Sequence, residues 1–597
     1  MSDGADTEPA GKAYDGRLLW RLWDFVRPYR GTFWVALLLS PVNQLFSEVQ
    51  PYLMKLGIDA VQAGEVARLQ HLGLVYAGAL VGELVSLYWQ SYLTMVVAQK
   101  SLADLRTATF ARLQRFPMRF FDTNPVGKVV SRVTTDVDVL TEMFAAGAMT
   151  IALDVLKLLG ITAFMLWINW RLALVSLALM PVMALAIDFF RRAARRTYRE
   201  IRERIARING FLQEAISGMA VVALSAREAR TFAEFDRLND DHRVSNHASN
   251  KYEAALFSLV EAVSTVSIAL MLLAGAGLHQ ASLADVGTLV AFIQYIQRFF
   301  VPIRDFSAKY AVMQSSMTAA ERIFALLDQP TEPAPAHGRV AADRSGEIVF
   351  DHVWFAYRGE DWVLHDVSFR IAPGEHVALV GATGSGKTTC IKLLDRLYDV
   401  QRGRILVDGI DVREWDTAAL RRRIAVVLQD VFLFSGTVHE NVSMGHPDID
   451  RARVETAARH VNADGFVQRL GGYDAHVRER GSNLSGGQRQ LLAFARALAH
   501  APDVLVLDEA TSSVDPETEW LIQDALEKLL AGRTALVIAH RLSTIEHADR
   551  ILVFHKGELR EEGPHAALLA RGGIYAKLYR LQYAATAGGP VVAAARP

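Results

Sequence analysis

Six apolar stretches in the first half of the chain constrain its fold more than any other feature. Each runs for roughly 20 residues or more, and a helix of that length, rising about 1.5 Å per residue, crosses the ~30 Å hydrocarbon layer of a bilayer. Only a helix satisfies its own backbone in lipid, so the sequence predicts an all-α polytopic membrane domain with six transmembrane helices. A buried soluble helix bundle is the alternative. The stretches are residues 31–58, 72–97, 140–168, 172–190, 254–278 and 283–312.

Basic residues beside these stretches predict their orientation. Lys and Arg are frequent between the second and third stretches and between the fourth and fifth, whereas residues 169–171 carry one Arg and residues 279–284 carry none. The positive-inside rule therefore places both basic loops and both chain termini in the cytoplasm, and we expect an integral membrane protein. Apolar residues repeat within the charged residues 201–216, which predicts helices that continue beyond the bilayer.

The composition excludes several classes of protein. Lys and Arg number 64 against 65 Asp and Glu, so no global basic field exists to attract nucleic acid. The single cysteine, Cys390, excludes a disulfide scaffold, a cysteine-rich zinc site and an iron–sulfur cluster held by thiolates of this chain. Residues 1–16 are acidic and polar and carry no recognisable cleavable signal, so we expect the membrane segments to be internal and retained.

A proline-rich segment separates two regions of different character. Three prolines between residues 330 and 335 stop the preceding helix and mark a linker. Beyond it, short β-rich runs alternate with helical stretches, which predicts an α/β domain with a largely parallel sheet. The expected organisation is a polar tail (1–16), a six-helix membrane domain with two long cytoplasmic loops (17–327), a linker (328–345), an α/β P-loop NTPase domain (346–583) and a C-terminal tail (584–597).

A glycine-rich loop follows the predicted strand 376–380 and opens a helix. Its glycines let backbone N–H groups turn toward phosphate oxygens, while Lys387 can reach the β and γ phosphates and Thr388 can present a hydroxyl to Mg²⁺. A glycine turn with a solvated lysine is the alternative. The predicted phosphate-binding residues are Gly381, Thr383, Gly384, Ser385, Gly386, Lys387, Thr388 and Thr389.

Two adjacent acids end an apolar strand further along the chain, at Asp508 and Glu509. Neighbouring carboxylates at the end of a buried strand are electrostatically unfavourable unless they bind a cation or take part in a reaction. Asp508 is therefore predicted to hold Mg²⁺ and Glu509 to polarise the attacking water for phosphoryl transfer. A surface strand end with two solvated acids is the alternative.

A third motif lies between these two, at the start of an apparent helix. Exposed N–H groups and a serine hydroxyl at a helix N-terminus favour an anion, although an ordinary helix cap would look the same. Placed between a phosphate loop and Asp-Glu, the motif resembles the signature of ATP-binding cassette transporters. Six spans fused before one nucleotide domain resemble the half-transporters among bacterial multidrug and lipid exporters, and this resemblance covers about residues 17–583. The motif is Leu484, Ser485, Gly486, Gly487 and Gln488.

The resemblance implies further roles and the cofactors ATP and Mg²⁺. Tyr357 matches the aromatic residue that stacks on adenine, Gln429 the glutamine that touches Mg²⁺ and the attacking water, and His540 the histidine that contacts the γ-phosphate. Ser513 and Asp515 match a loop at the interface between nucleotide domains. A core tyrosine and a structural histidine are the alternatives for Tyr357 and His540. In the family each signature closes over ATP bound to the other domain, so we expect a homodimer, with a heterodimer of related half-transporters as the alternative.

Some cytoplasmic segments also resemble the family, and one departs from it. Residues 120–127 and 131–136 are similar to the first coupling loop of these exporters, and residues 225–228 occupy the corresponding place in the second loop; solvated charged helix is the alternative. The resemblance implies a glycine before the signature where this chain has Arg478. The cross-subunit contacts of that loop are therefore expected to differ from the family pattern. Cys390 is expected to pack in the apolar core rather than to react.

The sequence thus predicts ATP-driven export of amphipathic compounds by alternating access. Glu48, Glu83 and Glu261 lie in the spans without an opposite charge at helical spacing, among aromatic residues that suit hydrophobic cations. They are candidate substrate-pathway residues, or else structural ones. Asp154 and Lys157 are expected to neutralise each other.

Alternative functions remain open at this stage. A lipid or glycolipid flippase is the nearest one, and an ATP-gated channel or a non-transporting sensor uses the same fold. The fused membrane half argues against an importer ATPase. The short segment before Arg17 argues against a transporter with a peptide-processing protease domain.

Overall fold

The computed structural model describes residues 15–146, 148–280, 285–331, 338–341, 344–508, 516–539 and 545–583. The chain divides into two compact units. The first unit comprises Met1–Arg115 with Asn124–Pro330, and the second comprises Phe116–Thr123 with Thr331–Pro597.

Long helices form the first unit. A short 3₁₀ turn, Arg27–Tyr29, connects α1 to α2, and α4 belongs to the second unit. The helices up to the linker are α1 (Gly16–Val26), α2 (Arg30–Gln62), α3 (Val66–Leu113), α4 (Met118–Thr123), α5 (Val126–Val133), α6 (Thr135–Ala146), α7 (Ala148–Leu177), α8 (Met180–Ser217), α9 (Met219–Leu224), α10 (Glu228–Gln280) and α11 (Val286–Leu327).

Among the described residues, four helices are long and apolar enough to cross a membrane: Val66–Leu113, Thr150–Leu177, Glu228–His279 and Val286–Leu327. The other two predicted spans are also helical but more polar. Helix α2 is 33 residues long, and Asn43, Gln44 and Glu48 interrupt its apolar residues. Helix α8 is apolar only over Met180–Phe190, before its basic part begins.

Asn169 separates two helices within α7. Its backbone leaves helical geometry (φ −158°, ψ 101°), and its Oδ1 accepts hydrogen bonds from the N–H groups of Arg171 and Leu172, both at 3.2 Å. This is an N-cap, in which a side-chain oxygen satisfies N–H groups that begin a helix. The turn lies where the nearly uncharged connection 169–171 predicted one.

Several helices are far longer than a bilayer is thick. Helix α3 has 48 residues and α10 has 53. At 1.5 Å per residue they extend for roughly 70–80 Å, more than twice the hydrocarbon thickness. This length agrees with the prediction that the charged cytoplasmic segments continue the spans as helices.

Two sheets form the framework of the second unit. The larger has the order β12-β11-β3-β10-β9-β6 and is parallel except at its β11–β12 edge. The smaller, β2-β1-β4-β5, is antiparallel, and β7 and β8 form a short ribbon. The strands are β1 (Ile348–Ala356), β2 (Trp362–Ile371), β3 (His376–Gly381), β4 (Arg402–Val407), β5 (Ile410–Asp411), β6 (Ile424–Val427), β7 (Gly436–Thr437), β8 (His476–Val477), β9 (Val504–Asp508), β10 (Thr534–Ile538), β11 (Arg550–His555) and β12 (Glu558–Gly563).

The antiparallel sheet adds to the predicted, largely parallel sheet. The β-rich run at residues 348–350 begins β1 of this smaller sheet. Strands β9 and β10 are buried almost throughout, as parallel central strands are. In β1 buried and partly exposed residues largely alternate, which suits an antiparallel sheet with only one covered face.

Helices cover the parallel sheet and complete the second unit, together with a 3₁₀ turn at Glu479–Gly481. The carboxyl ends of parallel strands meet at one edge of a sheet, so the described ends of β3, β6, β9 and β10 lie at the same edge. The described helices are α12 (Lys387–Leu394), α13 (Thr417–Arg423), α14 (Val438–Ser443), α15 (Arg451–His460), α16 (Asp464–Leu470), α17 (Gly486–Ala499), α18 (Pro516–Leu530), α19 (His565–Arg571) and α20 (Ile574–Tyr583).

Candidate functional site: a nucleotide site at the sheet edge

The glycine-rich loop joins β3 to α12. Its backbone conformation is one in which residues other than glycine would be strained. Gly384 and Gly386 have φ angles of +81° and +99°, in the left-handed region where a Cβ is unfavourable. At Gly381 the reason is space, because a Cβ would lie 2.3 Å from the carbonyl oxygen of Phe554. The sequence thus folds locally into a tight loop whose backbone is free to approach a ligand closely.

Lys387 begins α12 and folds back over this loop. Its Nζ donates hydrogen bonds to the carbonyl oxygens of Gly381 (2.8 Å) and Ala382 (3.0 Å). Burial lowers the pKa of Lys387, and the nearby carboxylate of Asp508 opposes that shift. A partly desolvated ammonium group at a glycine loop is suited to bind phosphate oxygens.

Thr388 and Asp508 bring two oxygen ligands to the same place. Thr388 Oγ1 donates to Asp508 Oδ2 across 3.4 Å, joining the start of α12 to the end of β9. A hydroxyl and a carboxylate are ligands that Mg²⁺ prefers, and the ion commonly binds through few protein groups together with phosphates and water. The residues present therefore fit Mg²⁺, with Thr388 and Asp508 as the side chains that would hold it.

Gln429, which follows β6, also reaches this edge. It lines a small cavity together with Asp508, Gln490 and Phe494. The predicted residues Glu509, Ser513, Asp515 and His540 lie outside the residues that the structure describes. Thr388, Gln429 and Asp508 thus lie close together where three parallel strands end.

Tyr357, at the end of β1, lies beside α12. Its hydroxyl is 3.2 Å from Thr389 Oγ1, and its ring packs at right angles against Tyr398 with 5.2 Å between centroids. Lys392 Nζ lies over the ring at 5.5 Å from the centroid. The half-buried ring is therefore fixed in position next to the phosphate loop, as a stacking platform for a base must be.

Ser485 begins α17 with a reciprocal cap. Its Oγ accepts a hydrogen bond from the Gln488 N–H (3.2 Å), and Gln488 Oε1 accepts one from the Ser485 N–H (2.9 Å). Leu484 is buried and anchors the turn, whereas Ser485 and Gly486 are exposed and Gly486 faces open space. The motif is thus an ordinary helix cap by geometry, and it also presents a positive helix end to an outside anion.

Known proteins that resemble this chain show which family it belongs to. Residues 33–303 match the ABC transporter transmembrane region, and residues 364–512 match the ABC transporter family. The ATP-dependent lipid A-core flippase of Chromohalobacter salexigens is 38% identical over 568 residues, which cover 94% of this chain and 97% of the relative. The chain belongs to the ABC transporter family.

Two further relatives extend this result. The ABC transporter ATP-binding protein YknV of Bacillus subtilis is 36% identical over 581 residues, or 96% of each chain. The multidrug efflux ATP-binding/permease protein of Mycobacterium bovis is 36% identical over 557 residues, which are 93% of this chain but 47% of the relative. The chain is therefore an integral membrane exporter that binds ATP and couples ATP hydrolysis to transport.

One departure from the family pattern is tolerated by the transporter's backbone. Arg478, the predicted departure from the family pattern, has φ −75° and ψ 167°, an extended conformation open to any residue. Its N–H donates to Asn483 Oδ1 at 2.9 Å, and Asn483 Nδ2 donates to the His476 carbonyl at 3.1 Å. The substitution thus requires no backbone strain in the loop before Ser485.

Cys390 packs inside the second unit of the transporter. It is fully buried on α12, and burial raises the pKa of its thiol to about 12. A thiol with so high a pKa is almost entirely protonated near neutral pH and is a poor nucleophile. This agrees with the predicted packing role.

Sequence reasoning missed a small polar cluster in the second unit. The Tyr398 hydroxyl donates to the carboxylate of Asp122 on α4, and Lys392 Nζ lies 3.8 Å from the same carboxylate. Burial, followed by the hydrogen bond to Asp122, raises the pKa of Tyr398. Tyr398 also packs on Tyr357, so the coupling segment predicted at residues 120–127 contributes a residue beside the base platform. The sequence carried no pattern that marked Tyr398, because its partners are far away along the chain.

The predicted substrate-pathway acids lie in different surroundings. Glu48 is 1% exposed and accepts a hydrogen bond from Gln44, while its second carboxylate oxygen, Oε2, has no hydrogen-bond partner among the described residues. Glu83 accepts one from Gln50, whereas Glu261 is exposed on α10. The structure therefore does not gather the three acids into one site.

The expected pairing of Asp154 with Lys157 is wrong in one respect. Asp154 on α7 forms its ion pair with Lys309 of α11, and both side chains are about four-fifths buried. A charge from a neighbouring helix is closer than the one at helical spacing, and such a partner cannot be read from one sequence. The pair joins α7 to α11.

Proposed function

We propose that the chain forms a homodimer that exports amphipathic, preferably cationic, organic compounds across the bacterial inner membrane, with both termini in the cytoplasm. ATP binding draws two nucleotide domains together and turns an inward-facing pathway outward, and hydrolysis with phosphate release resets it. The observation that carries the ATP part is the convergence of Lys387, Thr388 and Asp508 within hydrogen-bond reach of one another or of the loop.

Two features support pairing of two such chains. Ser485 and Gly486 present an exposed helix end whose hydrogen bonds within the described part of the chain are its own capping bonds, so a phosphate from a second chain can approach it. The Mycobacterium bovis relative, of which the match spans 47%, is long enough to contain two such halves in one chain. A heterodimer predicts that the purified chain is monomeric and regains ATPase only with a second gene product.

The catalytic assignment is tested by two substitutions. In the proposed mechanism Glu509 polarises the attacking water, His540 contacts the γ-phosphate, and Ser513 with Asp515 lines the dimer interface. Glu509→Gln should retain ATP binding while turnover falls by roughly 10² or more. Lys387→Ala should instead weaken binding itself. Near-normal turnover of Glu509→Gln would reject the assignment of the base.

The buried carboxylate of Glu48 supports a cationic substrate. Burial of a carboxylate oxygen that has no hydrogen-bond partner among the described residues is costly, even though the charges of Lys157 and Arg298 act on this carboxylate. An organic cation that enters the pathway would add a further favourable charge. Exposed aromatic residues lie on the adjacent helix α3, where Tyr88 stacks on Tyr92 at 6.2 Å. Aromatic faces beside an acid suit hydrophobic cations.

Transport in sealed vesicles tests the substrate class. Glu48→Gln, Glu83→Gln and Glu261→Gln should be compared singly for a cationic dye and a neutral one, with basal ATPase as the control. We expect the cationic dye to be affected more strongly than the neutral dye, and most by Glu48→Gln. Equal transport of both dyes by all three variants and the parent would make the acids structural.

Lipid flipping is the second candidate, favoured by the relative named as a lipid A-core flippase. It predicts ATP-dependent movement of a labelled phospholipid or glycolipid between leaflets, with no preference for cations. An ATP-gated channel would instead pass solute down its gradient without stoichiometric ATP turnover.

A further inference from the structure

Pro51 breaks the hydrogen-bond ladder of α2 in the middle of the membrane unit. Proline has no N–H, so the carbonyl of the residue four positions earlier, Ser47, receives no bond from the helix. Both residues are buried. A buried carbonyl left without a donor costs free energy comparable to a lost hydrogen bond, so another group should satisfy it.

Arg298 of α11 supplies that donor. Its Nη1 donates to the Ser47 carbonyl and lies 3.1 Å from Ser47 Oγ, while its Nη2 donates to Gln50 Oε1 at 3.1 Å. Gln50 in turn donates to Glu83 on α3. A guanidinium group, with its planar fork of donors, is suited to hold two acceptors of one helix turn at once.

Tyr295 repeats the contact one turn earlier on α11. Its hydroxyl donates to the Glu48 carbonyl at 2.6 Å, and its ring is fully buried. Residues three apart on a helix share a face, so Tyr295 and Arg298 both donate hydrogen bonds to the turn of α2 that Pro51 interrupts. These contacts and the Arg298 fork make a polar latch between α2 and α11.

The seam between α2 and α11 continues to the ends of both helices. Lys55 Nζ lies 2.6 Å from Asp59 Oδ2 and 3.9 Å from Asp285 Oδ2. At Gly287 a Cβ would lie 2.4 Å from Asp59 Oδ1 and 2.5 Å from the Lys55 carbonyl, so the first turn of α11 rests on the backbone of α2. The two antiparallel helices are thus in contact from the middle of the bundle to the end that the loop charges place outside the cell.

We propose that this seam is the extracytoplasmic gate of the exporter and that Arg298 is the positioning residue that latches it shut. A polar latch suits a gate, because water entering the opened pathway can replace Arg298 at the Ser47 carbonyl. At an apolar seam, water could not replace the lost contacts in this way. The proposal rests on the proposed transport cycle and topology, since only alternating access requires α2 and α11 to separate on that side.

The latch is tested without any substrate by thiol accessibility. Ala291 is fully buried and lies one turn from both Gly287 and Tyr295 on α11. In a Cys390→Ser, Ala291→Cys background, Arg298→Ala should raise the rate of labelling by an impermeant external thiol reagent by about tenfold in the absence of ATP, because the closed seam loses its donor. Arg298→Lys should give an intermediate rate, since one ammonium cannot reproduce the fork.

Arg304 provides the matched control on the same helix. Its guanidinium pairs with Asp305 and makes no bond to α2 among the described residues. Arg304→Ala should leave the labelling rate unchanged. Equal labelling of the parent, Arg298→Ala and Arg298→Lys would overturn the latch.

A cross-link tests the gate itself. Lys55→Cys with Asp285→Cys, whose native charged groups lie 3.9 Å apart across the seam, joined by a bifunctional thiol reagent that a reductant cleaves, should abolish ATP-driven dye export, and reduction should restore it. Asn43→Cys with Ser86→Cys, whose native side chains lie 3.1 Å apart, joins α2 to its sequence neighbour α3 and should leave export intact. Undiminished export with the seam cross-linked would refute the gate. If the parent exports no dye at all, the proposed function fails, whereas the labelling experiment still decides the latch.

Discussion

Thr388 and Asp508 are 120 residues apart in sequence, and their side-chain oxygens lie 3.4 Å apart at the edge of the parallel sheet. The contact joins the helix that follows the phosphate loop to the strand that ends in two acids. It brings a hydroxyl and a carboxylate, both suited to Mg²⁺, next to the Lys387 ammonium group. Motifs that the sequence presents separately thus become one site.

The first prediction concerns the metal. Asp508→Asn removes the charge of one proposed ligand but keeps its shape, so the Mg²⁺ concentration needed for half-maximal ATPase should rise by about tenfold or more. Binding of a fluorescent ATP analogue without Mg²⁺ should be unchanged. Asp503→Asn, at an acid that pairs with Arg344 and Arg423 away from the loop, is the matched control. An unaltered Mg²⁺ requirement would contradict the ligand assignment.

The second prediction concerns the base platform. Stacking of a base on an aromatic ring contributes about 1–3 kcal/mol, so Tyr357→Ala should raise the KM for ATP by about tenfold. Tyr357→Phe keeps the ring and loses only the contact with Thr389, so its KM should stay within about twofold of the parent. The KM of each variant is measured from the dependence of ATPase activity on ATP concentration, which distinguishes loss of the ring from loss of the hydroxyl. A KM that Tyr357→Ala leaves unaltered would make the ring purely structural.

The motifs of the candidate nucleotide site could be read from the sequence because each motif is local. The phosphate loop, its strand and its helix occupy one short segment, and the Asp-Glu pair follows directly on an apolar strand. The buried contacts in the membrane unit could not be read in this way. Lys309 reaches Asp154 across 155 residues and Arg298 reaches Ser47 across 251 residues, and no helical spacing marks such pairs. For the same reason the antiparallel sheet around β1 was missed, since its partners are fixed only by tertiary pairing.

The third prediction is a pH dependence of stability. Burial raises the pKa of Asp395 in the folded chain to about 6, from an ordinary value near 3.8, and no described residue donates a hydrogen bond to its Oδ1. The folded state therefore prefers the protonated acid, and the resulting stability is complete below pH 3.8 and lost as the pH rises through 6. The shift of roughly 2 pKa units corresponds to about 3 kcal/mol.

Asp395→Asn mimics the neutral acid and tests this assignment. The difference in melting temperature between the variant and the parent should favour the variant more at pH 8 than at pH 5. Asp399→Asn, at an exposed acid that pairs with Arg396, should show no such dependence beyond the loss of a surface ion pair. A difference that does not change with pH would show that Asp395 has no raised pKa in the folded chain.

The fourth prediction is the topology. Loop charges place Gly127 and Ser225 in the cytoplasm and Gln280 outside. Cysteines introduced singly at these positions in a Cys390→Ser chain should react with an impermeant thiol reagent accordingly, with Gln280→Cys labelled in intact cells and the other two only after lysis. Labelling of Gly127→Cys from outside would overturn the proposed orientation.

The last prediction concerns transmission from the nucleotide to the membrane spans. Asp122 on α4 receives a hydrogen bond from Tyr398, which packs on Tyr357, so we expect a shift of Tyr357 to reach the segment that leads into the next membrane helices. Asp122→Ala removes this acceptor and leaves the residues proposed to hold ATP untouched. We expect dye exported per ATP hydrolysed to fall by about three- to tenfold while basal ATPase stays within about twofold of the parent.

Asp104→Ala is the matched control, because Asp104 accepts a hydrogen bond from Tyr29 (2.9 Å) within the first unit. The Asp104→Ala variant loses a tyrosine–aspartate hydrogen bond of the same kind, but Tyr29 is not among the described residues that pack on Tyr357. If both variants reduce the export ratio equally, the effect comes from loss of a polar contact in general, and Asp122 has no particular part in transmission. A reduced ratio for Asp122→Ala alone would assign it that part, because the contact then matters only where it adjoins the nucleotide platform.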